Sequence, residues 1–148
     1  DDYWIDNNKL QMQIDFLENN NNYVLTHTNS LVYDMKNHKK YTLKKKCITD
    51  ENNIIQINQI TTHTAVFRNT NIAFENKWNL FKMADWPLWL NLSIQGRFKF
   101  FKEETGVYRL NPMGVWQNGW KDAVGSDRLL NEVEVLKYFL KINKFNSK

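Results

Sequence analysis

Near the N-terminus the hydrophobic period changes from helical to extended within a few residues, and that change limits the folds open to this chain. Over 8–19, Leu10, Ile14 and Leu17 recur at helical spacing and Phe16 widens the apolar face; the asparagines at 19–22 then end the pattern. Directly after it, Tyr-Val-Leu-Thr-His-Thr opens a stretch over 23–33 whose β-branched and aromatic residues predict a strand. A turn over 34–40 and a second strand over 41–45 predict a hairpin. Further along, 50–58 reads as a short helix capped by Asp50, and 61–68 as a strand. Asp85, with Pro87 and then Leu88, Leu90 and Leu92, predicts a helix that stops at Gly96 as its C′ residue. Short strands over 98–101 and 106–110 are expected around a turn at 102–105. From Ser126, Leu129, Val133, Leu136, Phe139 and Leu140 mark a terminal amphipathic helix. This is an α/β pattern with hairpin-like strands, not a wholly parallel doubly wound sheet.

Composition bounds the function classes. The 148 residues suit one domain, and 42% hydrophobic with 14% aromatic residues is a globular mixture. Cys47 is the one cysteine, which excludes an intramolecular disulfide framework and any multi-cysteine metal site. No apolar run approaches the roughly 18 residues of a membrane span, and no signal peptide opens the sequence. The chain opens on Asp1 and Asp2 without an initiator Met, so a processed chain or a piece of a longer one is expected. A lone thiol and no secretory signal favour the cytoplasm. The net charge of +4 permits anionic partners without requiring them. Lys36, Lys39, Lys40, Lys44, Lys45 and Lys46 gather positive charge in the expected hairpin. Such a run reads as a solvated edge that blocks strand pairing, or as a docking element for an anionic membrane or a lipid-linked diphosphate.

Candidate chemistry rests on carboxylates and aromatics. There is no Gly-rich phosphate loop, zinc-protease helix or nucleophile elbow, and His27, His38 and His63 are scattered. Asp1 and Asp2, ahead of Tyr3 and Trp4, read as a frayed terminus or as oxygen ligands for a hard cation, Mg²⁺ or Mn²⁺. Asp85 reads as an N-cap or as a general base on a rigid element. Trp86 and Trp89 beside it read as core or as faces that stack on a sugar ring, and Arg109 as an ion-pair partner or as a phosphate contact.

Four blocks carry a resemblance. The stretch 1–18, from Asp1-Asp2-Tyr3-Trp4 into Lys9-Leu10-Gln11, resembles the segment that follows the metal motif in bacterial family 2 glycosyltransferases. Thr64-Ala65-Val66-Phe67-Arg68 is similar to the strand that follows in those proteins. Ala84-Asp85-Trp86-Pro87-Leu88-Trp89-Leu90, running to Gly96, resembles the family's acceptor-side helix. Gly106-Val107-Tyr108-Arg109-Leu110-Asn111, running to Gly114-Val115-Trp116, resembles the stretch that closes the active site. Order and spacing agree over residues 1 to 117.

The resemblance implies a GT-A fold, Rossmann-like with a mixed sheet. Residues 1–117 would be its acceptor-side half and 118–148 a C-terminal helical extension. It implies an inverting, metal-dependent transfer from a nucleotide-diphosphate sugar to a saccharide or lipid-linked acceptor, in the cytoplasm or at the inner membrane face. Asp85 matches the catalytic base. Asp1 matches the metal motif's last acid, with Mg²⁺ or Mn²⁺ as cofactor. Asp2 and Arg109 fall on the donor diphosphate side, and Trp86, Trp89 and Arg68 on the acceptor side. Where many relatives carry a His two residues after the Tyr-Arg pair, this chain has Asn111, whose amide oxygen is a metal ligand of a different kind. A half-fold would leave an uncovered sheet edge, so self-association is expected. A non-catalytic saccharide-binding module is the competing reading; a nucleic-acid binder, suggested only by pI and aromatics, ranks last.

Overall fold

The computed structural model describes residues 2–42, 50–56, 58–70, 72, 81, 85–112 and 126–146, with side chains in the last stretch from 130 to 141. Within these residues the elements are β1 (Tyr3–Trp4), α1 (Lys9–Asn19), β2 (Tyr23–Asp34), β3 (Lys39–Thr42), a 3₁₀ turn (Thr62–Thr64), β4 (Val66–Phe67), α2 (Asp85–Ser93), β5 (Arg97–Leu110) and α3 (Ser126–Asn146). The five described strands form one mixed sheet in the order β1-β5-β2-β3, with β4 pairing β2. Only β2 and β5 run parallel; β1 on β5, β3 on β2 and β4 on β2 are antiparallel. A parallel pair cannot close through a tight turn, and the chain between β2 and β5 supplies the crossover that includes α2.

The fold is therefore a mixed α/β domain with helices packed on a five-stranded sheet. The core gathers Val24 and Leu25 of β2, Ile54, Ile60, Trp86, Trp89, Leu90 and Leu92 around α2, Phe98 of β5 and Val135 of α3. Leu90 and Leu92 have no exposed surface, and burial of a leucine of this kind contributes about 1.5–3 kcal/mol. Val135 places α3 in the same core as α2.

Several expectations are corrected. The two short strands expected at 98–101 and 106–110 are one strand, β5, and the turn between them does not exist. The parallel partner β2 pairs with β5 up to Phe100 and again from Glu104, and the register shifts at 27–30 let the strand bulge through the polar residues between. The strand expected at 61–68 is the 3₁₀ turn followed by the two residues of β4. The helix expected at 50–58 is a series of turns over 51–56, although Asp50 caps it as anticipated, its Oδ1 accepting from the N–H groups of Asn52 and Asn53. The second hairpin strand begins at Lys39, and residues 43–45 lie outside the described residues.

α1 forms where expected but turns a different face inward. Lys9, Gln13 and Leu17 are buried, whereas Leu10 is 40% and Ile14 45% exposed. The buried stripe meets polar partners: Gln13 Nε2 donates to Thr26 Oγ1 and to the Thr64 carbonyl, both at 3.0 Å. α2 ends at Ser93, so Gly96 is not its C′ residue as expected, and its backbone is not left-handed. A Cβ there would stand 2.6 Å from Val24 Cγ1, so the residue is a glycine because β2 passes so close.

Candidate functional site

The 3₁₀ turn joins two carboxylates that are far apart in sequence. Thr62 Oγ1 donates to Asp85 Oδ2 at 2.7 Å. The next residue, His63, places Nδ1 3.0 Å from Asp2 Oδ2. Asp2 Oδ1 accepts the Arg109 backbone N–H at 2.9 Å, which fixes the carboxylate to the end of β5. Asp2 and Asp85 are thus held by consecutive residues of one turn.

The turn is itself braced. Thr64 N–H donates to the Thr61 carbonyl at 2.8 Å. The Trp4 indole N–H donates to the His63 carbonyl at 2.8 Å, and Gln13 holds the Thr64 carbonyl from α1. His63 Nε2 lies 3.1 Å from Ser30 Oγ on β2, so the imidazole spans from Asp2 to β2 across β5. Register explains how it fits. Gly106 of β5 pairs with Trp4 on one side and Ser30 on the other, and the ring lies against its Cα. A Cβ at 106 would be 2.5 Å from His63 Cδ2 and 2.7 Å from Nε2.

Asp2, His63 and Ser30 make a carboxylate–imidazole–hydroxyl series, but Ser30 is fully buried and its hydroxyl lies within reach of the Leu31 and Gly106 carbonyl oxygens. A hydroxyl enclosed in this way cannot meet a substrate, so the series is a positioning chain and not a nucleophilic triad. The field of Asp2 reaches further along β5. Burial first, and the Asp2 charge second, push the Tyr108 phenol above its ordinary value.

A second polar interior lies beside the turn. Lys9 is fully buried; its Nζ donates to Gln13 Oε1 at 2.7 Å and lies 4.6 Å from the centroid of the Trp4 ring. Burial lowers its pKa to about 8. Thr28 and Thr105 share a hydroxyl–hydroxyl contact of 2.7 Å, continuing this layer between β2 and β5.

The residues singled out from sequence fall into three groups. Asp2, Arg109 and Asp85 reach the turn, Arg109 through its backbone N–H and not its guanidinium, which sits 6.0 Å from the Tyr3 ring centroid. Asp85 is the first residue of α2, and its carboxylate accepts from the Thr62 hydroxyl and not from a helix N–H, so the expected N-cap bond is not made among the described residues. Trp86, Trp89 and Arg68 serve the core and the frame. Both indoles are buried in the core, Trp86 donating to the Ile54 carbonyl at 2.8 Å and Trp89 packing edge-on to Phe67. The Arg68 guanidinium donates to the carbonyls of Leu17 and Tyr23, tying the end of α1 to the start of β2. Asn111 follows β5 directly, its N–H donating to the Arg109 carbonyl at 2.9 Å. Asp1 lies outside the described residues, as do 113–125 with the Gly114-Val115-Trp116 part of the fourth block.

Among the described residues no group of three His, Cys, Asp or Glu side chains could hold a metal ion. Both Asp2 oxygens are already engaged, by the Arg109 N–H and by His63. The described residues taken alone therefore do not fit a divalent cation. Nor is any described helix long and apolar enough to cross a membrane.

Thr62, His63, Ser30 and Gly106 were not singled out from sequence. The available signal was the tripeptide Thr62-His63-Thr64, three polar residues interrupting what reads as a strand. No protein-family model matches the sequence, and no curated protein or solved structure matches it either.

Proposed function

We propose that this chain is the acceptor-side half of an inverting glycosyltransferase of GT-A type, which moves a sugar from a nucleotide-diphosphate donor to a hydroxyl of a saccharide or lipid-linked acceptor. The observation that carries the reading is the anchoring of Asp2 and Asp85 to adjacent residues of one rigid turn. A transferase of this class needs one acid beside the donor and another beside the incoming hydroxyl, at a fixed separation. The resemblance assigns Asp2 to the first place and Asp85 to the second.

The chemistry asked of the described residues is limited. Asp85 Oδ2 is taken by Thr62, which leaves Oδ1 for the acceptor hydroxyl. As the acceptor oxygen bonds to the anomeric carbon, the bond from that carbon to the diphosphate breaks and the hydroxyl proton passes to Asp85. The Thr62 hydroxyl fixes the rotation of the carboxylate, so that reaction does not have to order it. Mg²⁺ or Mn²⁺ enters this reading through Asp1 and Asn111, and the roles of Asp85 and Thr62 stand without it.

Replacing Asp85 by Asn keeps the side-chain shape and removes the base. Turnover of nucleotide sugar by an N-terminally extended chain is expected to fall by about 10²–10⁴-fold with donor affinity unchanged, the usual contribution of a positioned base. Unchanged turnover in Asp85→Asn would remove Asp85 from the reaction.

A further inference from the structure

The chain's excess positive charge is concentrated in one stretch of sequence, 36–46, whose described part is the hairpin turn and β3. Of its 20 Lys and Arg residues, six lie within 36–46, which contains no acid; the remainder of the chain holds 14 basic residues against 16 acidic ones. Apart from this segment the protein is slightly acidic. Lys36 in the turn, and Lys39 and Lys40 on β3, are all exposed. β3 is the outer strand of the sheet and is exposed along its whole length.

The nearest acid in sequence, Asp34, offsets one of these charges at most. Asp34 turns its carboxylate into the hairpin turn, accepting from the backbone N–H groups of Lys36 and Asn37 and from Asn37 Nδ2. These bonds hold it below its ordinary pKa and fix it in the turn. His38 closes that turn in a left-handed conformation, φ 51°, with its Nδ1 3.3 Å from the Tyr33 hydroxyl. Lys40 projects over the Tyr33 ring on one face of the hairpin. By strand alternation, Lys39 shares the other face with Tyr41, which is 47% exposed.

We propose that the β2–β3 hairpin is a docking element for an anionic lipid surface, with Lys36, Lys39 and Lys40 supplying the charge and Tyr41 entering the headgroup layer. Charge and shape select this occupant. All the cations are lysines, flexible point charges without the planar fork that reads a phosphate or a base edge in a defined geometry. A diffuse layer of headgroups asks for nothing more specific. An exposed tyrosine beside them is the amphipathic side chain that settles at the boundary between water and acyl chains. The lysines of β3 alternate between the two faces of a sheet edge, an arrangement that offers no single groove to track a nucleic-acid strand. The inference does not depend on sugar transfer.

The test is co-sedimentation of the protein with vesicles of phosphatidylcholine alone and of phosphatidylcholine mixed with phosphatidylserine, at low and at raised salt. Partitioning is expected only onto the mixed vesicles, and it should weaken as salt rises because screening shortens the reach of the lysines. Each Lys→Gln change should lower the partition coefficient about fivefold, and the Lys36→Gln, Lys39→Gln, Lys40→Gln triple variant on the order of a hundredfold. Tyr41→Ser should lower it with the salt dependence kept. The three lysines are exposed, so an unchanged urea midpoint serves as the folding control. No binding to the mixed vesicles, or binding that the triple variant retains, would overturn the proposal. Polyuridylic acid displacing the protein from vesicles through the same lysines would assign the hairpin to nucleic acid instead.

Discussion

Lys9 shows how one buried charge marks the stability of the whole protein. Its folded pKa, about 8, lies below the ordinary 10.5, so the unfolded chain holds the proton more tightly than the native one between those values. Stability should therefore rise with pH from about 8 towards 10, by at most about 3 kcal/mol at 1.4 kcal/mol per unit. Above pH 10 the half-buried Tyr108 opposes the rise. Its pKa is raised in the fold, so the stability it lends is present below its ordinary value and lost above it. Urea midpoints measured across this range should trace the rise, and Lys9→Met should abolish it while leaving the Tyr108 fall. A second residue-scale prediction concerns Gly106. A Cβ there would occupy the place of the His63 ring, so Gly106→Ala should cost about 1–3 kcal/mol in urea denaturation. The cost should shrink in the double variant with His63→Ala, because the two changes act on one contact.

At the scale of elements, α1 offers the sharpest test of which residues hold the molecule together. Leu17→Ala should cost about 2–5 kcal/mol, as a buried leucine does, while Leu10→Ala and Ile14→Ala should each lie within about 0.5 kcal/mol of the parent. Equal losses at the three positions would mean that the apolar stripe is the packed face after all. Hydrophobic periodicity located this helix, β2, α2 and α3 because each has enough apolar residues at one spacing to show through. It misjudged the face of α1 because the surface beneath is polar, so Lys9 and Gln13 turn inward to meet Thr26 and Thr64. The single strand β5 was hidden for a related reason. Lys102, Glu103 and Glu104 read as a turn, but pairing with β2 on both sides of a bulge, at Phe100 and again from Glu104, carries the strand through them. Of the candidate site, the carboxylates were legible because few residue types can act as a base. Thr62 and His63 were not, since their importance comes from long-range contacts that no spacing records.

At the scale of the molecule, the sheet and the turn act as one frame. β5 carries Gly106, Tyr108 and Arg109 past the end of β1, β2 brings Ser30 alongside, and α2 delivers Asp85 to Thr62. The central claim is that Asp2 belongs to a donor-side subsite and Asp85 to an acceptor-side one in a single active centre. The most direct measurement is a calorimetric titration of uridine diphosphate, with Mn²⁺, into an N-terminally extended chain and its Asp2→Asn and Asp85→Asn variants. The account predicts binding by the parent, about a tenfold loss in Asp2→Asn because the His63 contact that anchors this residue beside Asp1 is weakened, and parent-like affinity in Asp85→Asn. No binding by the extended parent, or an equal loss in both variants, would contradict it.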